Sequence, residues 1–366
     1  MKRFLPATAL LWMAAISAAF VGQARAGEPF VPGTGELLKD CCDDFENPKW
    51  SYTYNLPKSS HEQDEQQRGP GGVSNNGLWH EGGKRGTPDV VRRVETPPGG
   101  LEGSTGALLM ATKNSGVPGK ISNEQMQDDL LMMFNKRLGR TIPMSWQPSA
   151  TVRVYLPEWD KWEKRNGPSL GVRCDCMGRE PDGTMEAYWP GMFILRNQHK
   201  TKEGKIIEGA QITVRGDKLG RDIRKVDIDE PGWWTLGMSF TEDGQIHYYA
   251  HKGIADLTAA DHLMSSFPYN EKCTTFNNFF FNVANIDNGR NWSTPWVIDD
   301  PKIYVIPPAG QQTANLYRVK KQPQKQQQQK QVAKNRMQQQ QQQDSNNQRS
   351  ASRSNSAGQI RQVPQL

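Results

Sequence analysis

The chain has 366 residues, of which 34 are Gly and 24 are Pro, about one in six, and that density of helix breakers excludes a bundle of long helices. A hydrophobic content of 35% and a mean hydropathy of −0.76 leave material for one sizeable core. The formal charge of +6 is uneven along the chain.

Lys2 and Arg3 precede an apolar stretch from Phe4 to Phe20 that closes on Ala24-Arg25-Ala26, small residues in the pattern that a signal peptidase cleaves. Residues 1–26 are therefore predicted to be a signal peptide. The mature chain would begin at Gly27 and be exported, to the periplasm, the cell surface or the medium. No second apolar run is long enough to span a bilayer, so an integral membrane protein is not expected.

Residues 27–308 read as one β domain, because period-2 alternation recurs with turn residues between the runs. In 150–156, Val152, Val154 and Leu156 face one way and Arg153 and Tyr155 the other. In 170–176, Val172 and Cys174 oppose Arg173 and Asp175, and in 211–215, Ile212 and Val214 oppose Gln211, Thr213 and Arg215. A hairpin is predicted from Trp233 to His251, turning at Thr241-Glu242-Asp243-Gly244. Residues 128–134 suit either a helix or a buried strand; the strand is preferred because the rest of the domain is β. Five cysteines are an odd number, so at least one is unpaired within the chain, and several pairings stay open. Zinc is a poor fit to Cys174 and Cys176, which have no second Cys pair or His at ligand spacing.

Composition changes after Pro307-Pro308. Residues 309–366 hold 19 Gln, ten basic residues and a single acid, Asp344, with few large apolar side chains. Such a segment cannot offset its chain entropy by burial and is predicted to be a disordered, Gln-rich basic tail. It carries a net +9 and the domain −6, so the tail can contact anionic cell-surface polymers. Nucleic acid is not an expected partner, since aromatic residues are not interleaved with the charges.

Three segments carry a family resemblance: Cys42-Asp43-Asp44-Phe45-Glu46 with Trp50, the Trp234 to Tyr248 hairpin, and Trp296-Val-Ile-Asp299-Asp300-Pro-Lys-Ile-Tyr304-Val. Together they resemble the concanavalin A-like lectin/glucanase jelly roll, including exported bacterial carbohydrate-binding and polysaccharide-lyase-like proteins. The resemblance covers roughly residues 40–308. It implies an all-β, two-sheet antiparallel jelly-roll sandwich with long loops.

On such a fold the outward residues form a candidate ligand face: Arg153, Tyr155, Arg173, Arg196, Arg215, Trp233, Gln245, His247, Tyr249 and His251, with Asp175, Gln211 and Thr213 among them. Guanidinium forks pair with planar anions and aromatic rings stack on sugars, so an acidic polysaccharide suits this set. Glycosidases of the resembled fold use an E-x-D-x-x-E strand. This chain has only Asp227-Ile-Asp229-Glu230, without the leading Glu. Alginate lyases of the fold use Arg, Gln, His and Tyr, and Gln245-Ile246-His247 reproduces their Gln-x-His element. Their Tyr-x-Lys-x-Gly-x-Tyr element is only echoed, by Tyr249 to Gly253 on the same strand.

Acidic residues cluster at both ends of the domain, Asp43, Asp44 and Glu46 at one and Asp299 and Asp300 at the other. A structural calcium ion joining those ends is one way to offset their repulsion; no organic cofactor is expected. The resulting expectation is an exported polysaccharide-binding protein, with a polysaccharide lyase or glycoside hydrolase as the alternative and a structural surface protein without a sugar ligand as the second.

Overall fold

The computed structural model describes residues 27–317. The predicted signal peptide and the tail beyond Tyr317 lie outside the described residues. Thirteen strands build the frame, in chain order: β1 (Val90–Val94), β2 (Ala107–Ala111), β3 (Gln125–Met132), β4 (Ser149–Leu156), β5 (Gly167–Arg179), β6 (Gly191–Arg196), β7 (Ala210–Arg215), β8 (Asp222–Ile228), β9 (Gly232–Phe240), β10 (Ile246–Lys252), β11 (His262–Ser266), β12 (Lys272–Ile286) and β13 (Trp296–Val305). They form two antiparallel sheets. The first runs β11-β10-β9-β4-β13-β2-β1. The second runs β8-β7-β6-β5-β12-β3 and continues through Trp79–Glu81 and shorter strands. Successive strands switch sheets at β2 to β3, β3 to β4, β4 to β5, β8 to β9, β11 to β12 and β12 to β13. That crossing pattern is the jelly-roll sandwich predicted from the sequence.

The alternation predicted inward faces correctly. Ala150, Val152, Val154 and Leu156 from the first sheet and Leu170, Val172, Cys174, Ile212 and Val214 from the second belong to one buried cluster between the sheets. Burying each large aliphatic side chain contributes roughly 1.5–3 kcal/mol, so this layer is the main source of stability. Residues 125–132 are a strand, as preferred, and the following Phe134–Leu138 turn is helical.

The centre of the second sheet carries an irregularity that shapes its outer face. Along β12, Phe276 and Phe279 are both fully buried although three positions apart. Register explains this: Asp175 pairs with Asn278 but Cys176 pairs with Phe276, leaving Asn277 as the extra residue of a bulge. The bulge keeps both rings in the core while Asn278 reaches the side chain of Asp175.

One boundary read from the sequence moves. Residues 309–317, assigned to the tail, are folded against the domain: Leu316 is fully buried in the core and Tyr317 packs against it. Their apolar side chains had been outweighed by the Gln-rich composition around them. All five cysteines are free thiols, and four of them are buried.

Candidate functional site

The candidate ligand face divides between opposite sides of the molecule. Arg153, Tyr155, Trp233, His247, Tyr249 and His251 lie on the first sheet, Arg173, Arg196 and Arg215 on the second, and Gln245 in the turn before β10. Alternation defines an outward direction for each strand but not which sheet the strand joins, so the sequence merged two faces into one.

The first sheet's outer face is covered. Residues 28–35 cross it: Ser239 Oγ donates to the Phe30 carbonyl (2.6 Å), and the Gly33 amide donates to Ser149 Oγ (3.2 Å). A Cβ on Gly237 would sit 2.5 Å from Leu257 Cδ1 and 2.9 Å from Pro32 Cβ, so only glycine admits this cover. Arg153 is neutralised by Asp300 and Asp256, each at 2.6 Å. Trp233 is buried against Tyr155 and donates to the Pro98 carbonyl. His247 is fully buried between Thr241 Oγ1 (3.0 Å) and Ser265 Oγ (2.6 Å), and burial pushes its imidazole down to about 4. Tyr249 is buried beside His262, and His251 pairs with Asp261 at 2.9 Å. Within the Gln245-Ile246-His247 element, His247 therefore serves packing and hydrogen bonding.

The second sheet's outer face is open and holds a cavity of about 620 Å³. Its floor comes from β3, β12, β5, β6 and β7; loop residues 82–85, the turn at Trp189 and Tyr269 form its walls. Arg173 lies at the centre, only 6% exposed, between the rings of Phe193 (5.3 Å) and Phe280 (5.4 Å). Its Nε donates to the Trp189 carbonyl (3.1 Å), and Nη1 donates to Asn282 Oδ1 (3.4 Å). Among the described residues no carboxylate lies within 4.0 Å of it. Burial, with Arg215 nearby, pulls its pKa down to about 10, so it stays charged at neutral pH. Arg215 is itself paired with Asp222 at 2.8 Å. Arg196 is buried against Glu208 and does not line the cavity.

Of the groups around Arg173, the sequence pattern singled out Asp175 but not Asp129, Asn278, Asn282 or Arg85. Asp129 is buried and accepts from Asn282 Nδ2 (2.6 Å) and Gln127 Nε2 (3.2 Å); burial raises its carboxyl above the usual range. Asp175, raised by burial as well, accepts from Asn278 Nδ2 (3.1 Å), while Asn278 Oδ1 is buried without a partner. Arg85 Nε is also buried and unpartnered. The one sequence signal was polar residues interrupting buried strands: Asp128-Asp129 before Leu130, and Asn277-Asn278 and Asn282 within the Phe-rich β12.

Asp129 and Asp175 do not form a hydrolytic pair. Asp129 is registered to Asn282 and Asp175 to Asn278, so their Cα atoms lie two strands and about four residues apart, roughly 15 Å. Two carboxyls act on one glycosidic bond across about 5–10 Å.

The acidic residues at the domain ends have protein partners. Asp43 Oδ2 accepts from the indoles of Trp79 (2.7 Å) and Trp50 (3.0 Å) and from Asn76 Nδ2 (2.8 Å). Asp44 accepts from the Glu46 amide, and Asp300 pairs with Arg153 and Lys302. Ser104 Oγ lies 3.0 Å from both Glu46 Oε1 and Asp299 Oδ2, so the two carboxylates share its one proton, and burial pushes Asp299 up to about 6. Among the described residues no group of three or more His, Cys, Asp or Glu side chains is placed to hold a metal ion, so the calcium expectation finds no ligand cluster here. No described helix is long and apolar enough to cross a membrane.

No family model matches the sequence, and no curated protein matches it. Solved structures align loosely. An alginate lyase from Pseudomonas aeruginosa aligns at 9% identity and TM-score 0.32 over 59% of this chain and 85% of that one. An alginate lyase from Zobellia galactanivorans aligns at 9% and 0.31 over 70% and 92%. The binding domain of Paraclostridial Mosquitocidal Protein 1 aligns at 9% and 0.28 over 66% of this chain, which spans only 47% of that domain. Likeness at this level transfers no ligand and no residue role, and the reading of the site rests on its own geometry.

Proposed function

We propose that the protein is an exported polysaccharide-binding protein that takes an acidic glycan in the cavity of the second sheet. The observation that carries this reading is Arg173: a buried guanidinium, fixed by aromatic rings and a backbone carbonyl, that faces a cavity without a carboxylate partner. A buried charge of this kind is costly unless an anion completes it, and the planar fork matches a carboxylate or sulfate. Trp189 and Tyr269 supply ring faces for sugar stacking, and Asp129, Asp175 and Gln127 supply acceptors and donors for hydroxyls.

The lyase alternative keeps one specific observation. Tyr269 lines the same cavity with a left-handed backbone, φ 59°, an uncommon conformation for a bulky residue and one often held at functional positions. In that reading its hydroxyl would exchange a proton with a sugar whose carboxylate Arg173 holds.

The test incubates the full chain with a panel of acidic and neutral glycans and follows both retention and the absorbance of unsaturated uronates. Saturable, salt-sensitive retention of an acidic glycan is expected, weakened at least tenfold by Arg173→Ala, about the value of one charge-assisted hydrogen bond. Absence of retention across the panel overturns the reading, and new absorbance that Tyr269→Phe abolishes converts binder into lyase.

A further inference from the structure

Trp189 offers the widest aromatic surface in the cavity, yet that surface is already occupied. Lys84 Nζ sits 3.4 Å from the centroid of its ring. Lys84 also lies close enough to Asp175 to favour its ionised form, although burial dominates and raises that carboxyl. The two partners come from different elements: Lys84 from the loop after Trp79–Glu81, Trp189 from the turn before β6. The loop backbone is held in place, since a Cβ on Gly86 would meet Lys58 Cβ at 2.4 Å and one on Gly83 would meet Gln67 Nε2 at 2.8 Å. The lysine side chain is exposed and has no carboxylate within 4.0 Å among the described residues.

Resting on the glycan-binding reading, we propose that Lys84 is a specificity-determining residue that favours acidic over neutral glycans by covering the Trp189 ring. A sugar of either kind must displace the ammonium from the ring before it can stack there, and so must replace a cation–π contact. An acidic sugar provides the displaced ammonium with a new anionic partner. A neutral sugar does not, and the displacement is then uncompensated. Selectivity arises from a penalty on the wrong ligand as well as attraction to the right one.

Removing Lys84 then shifts the two kinds of ligand in opposite directions, which loss of a purely structural or purely attractive lysine would not do. The ligands are trimers of mannuronate, guluronate, galacturonate and glucuronate, each beside its carboxyl-reduced form, which keeps the linkage and ring and loses the charge. Dissociation constants are measured by calorimetry with the full chain, Lys84→Ala and Trp189→Ala. Lys84→Ala should bind the reduced trimers roughly two- to fivefold more tightly and the uronate trimer roughly two- to fivefold more weakly, as expected for one exposed cation–π or ion-pair contact. Trp189→Ala should weaken both. Wild-type protein that binds uronates while Lys84→Ala moves both ligands in one direction, or neither, overturns the role of Lys84 and leaves the glycan reading intact. Wild-type protein that binds no trimer in either form overturns both.

Discussion

Residue chemistry separates Arg173 from His247, two outward-facing residues that the sequence treats alike. Arg173 opens onto a cavity and lacks a carboxylate; His247 has both ring nitrogens engaged and no exposure. Burial holds His247 near 4 instead of its ordinary 6.5, with the neighbouring His262 acting in the same direction and Asp243 opposing. The unfolded chain therefore binds a proton here before the folded chain does, and the contribution of His247 to stability, complete above about pH 6.5, is lost as pH falls towards 4. Other groups titrate in this window, among them Asp299 with the opposite sign, so the measurable quantity is a difference between proteins. Urea unfolding of wild type and His247→Gln should show a stability gap at pH 7 that narrows steadily down to pH 4. A gap that stays constant across that range would show that the imidazole does not titrate as its burial requires.

Elements were legible where their residues alternate. Val152, Val154, Ile212 and Val214 face inward as the period-2 pattern requires, and the hairpin from Trp233 turns where Asp243-Gly244 supplies the positive φ. The bulge at Asn277 was not legible, because its cause is the ladder register between β12 and β5, which are almost a hundred residues apart in sequence. Nor was Lys58, which stands in a loop before any predicted strand. It joins three segments at once: its Nζ lies 2.7 Å from both Asp89 and Asp128 and donates to the Asn114 carbonyl at 2.8 Å, with a side chain only 7% exposed. Removing one partner of a buried ionic group leaves uncompensated charge and costs about 3–5 kcal/mol. Lys58→Met should lower stability by that amount in denaturant unfolding, and adding Asp128→Asn should recover part of it. A loss under about 1 kcal/mol, within the range of exposed pairs, would mean that the cluster is solvated.

At the scale of the whole molecule, composition decided the domain limits, and it erred where a short apolar motif sits inside a polar context. Leu316 and Tyr317 follow the Pro307-Pro308 break and precede most of the Gln runs, so a composition average assigns them to the tail. The fold instead uses them to close the sandwich. Leu316 is fully buried in the core, and Thr313 Oγ1 donates to Glu36 Oε2 at 2.7 Å, fastening this segment to the two-residue strand that pairs with β13. The same strand follows residues 28–35, which cover the outer face of the first sheet, so the two ends of the described chain are held at one place. Cutting the chain after Pro308 removes the leucine and the fastening together. Burial of one large aliphatic side chain contributes about 1.5–3 kcal/mol, and truncating it in place costs about 2–5 kcal/mol because a cavity remains. Leu316→Ala in the full chain should therefore lower stability by about 2–5 kcal/mol, and truncation after Pro308 should lower it by at least as much as the burial is worth, since Tyr317 is lost as well. Calorimetric melts of the two proteins beside wild type decide the matter: transitions that coincide with wild type would place the end of the fold at Pro308, where composition alone had put it.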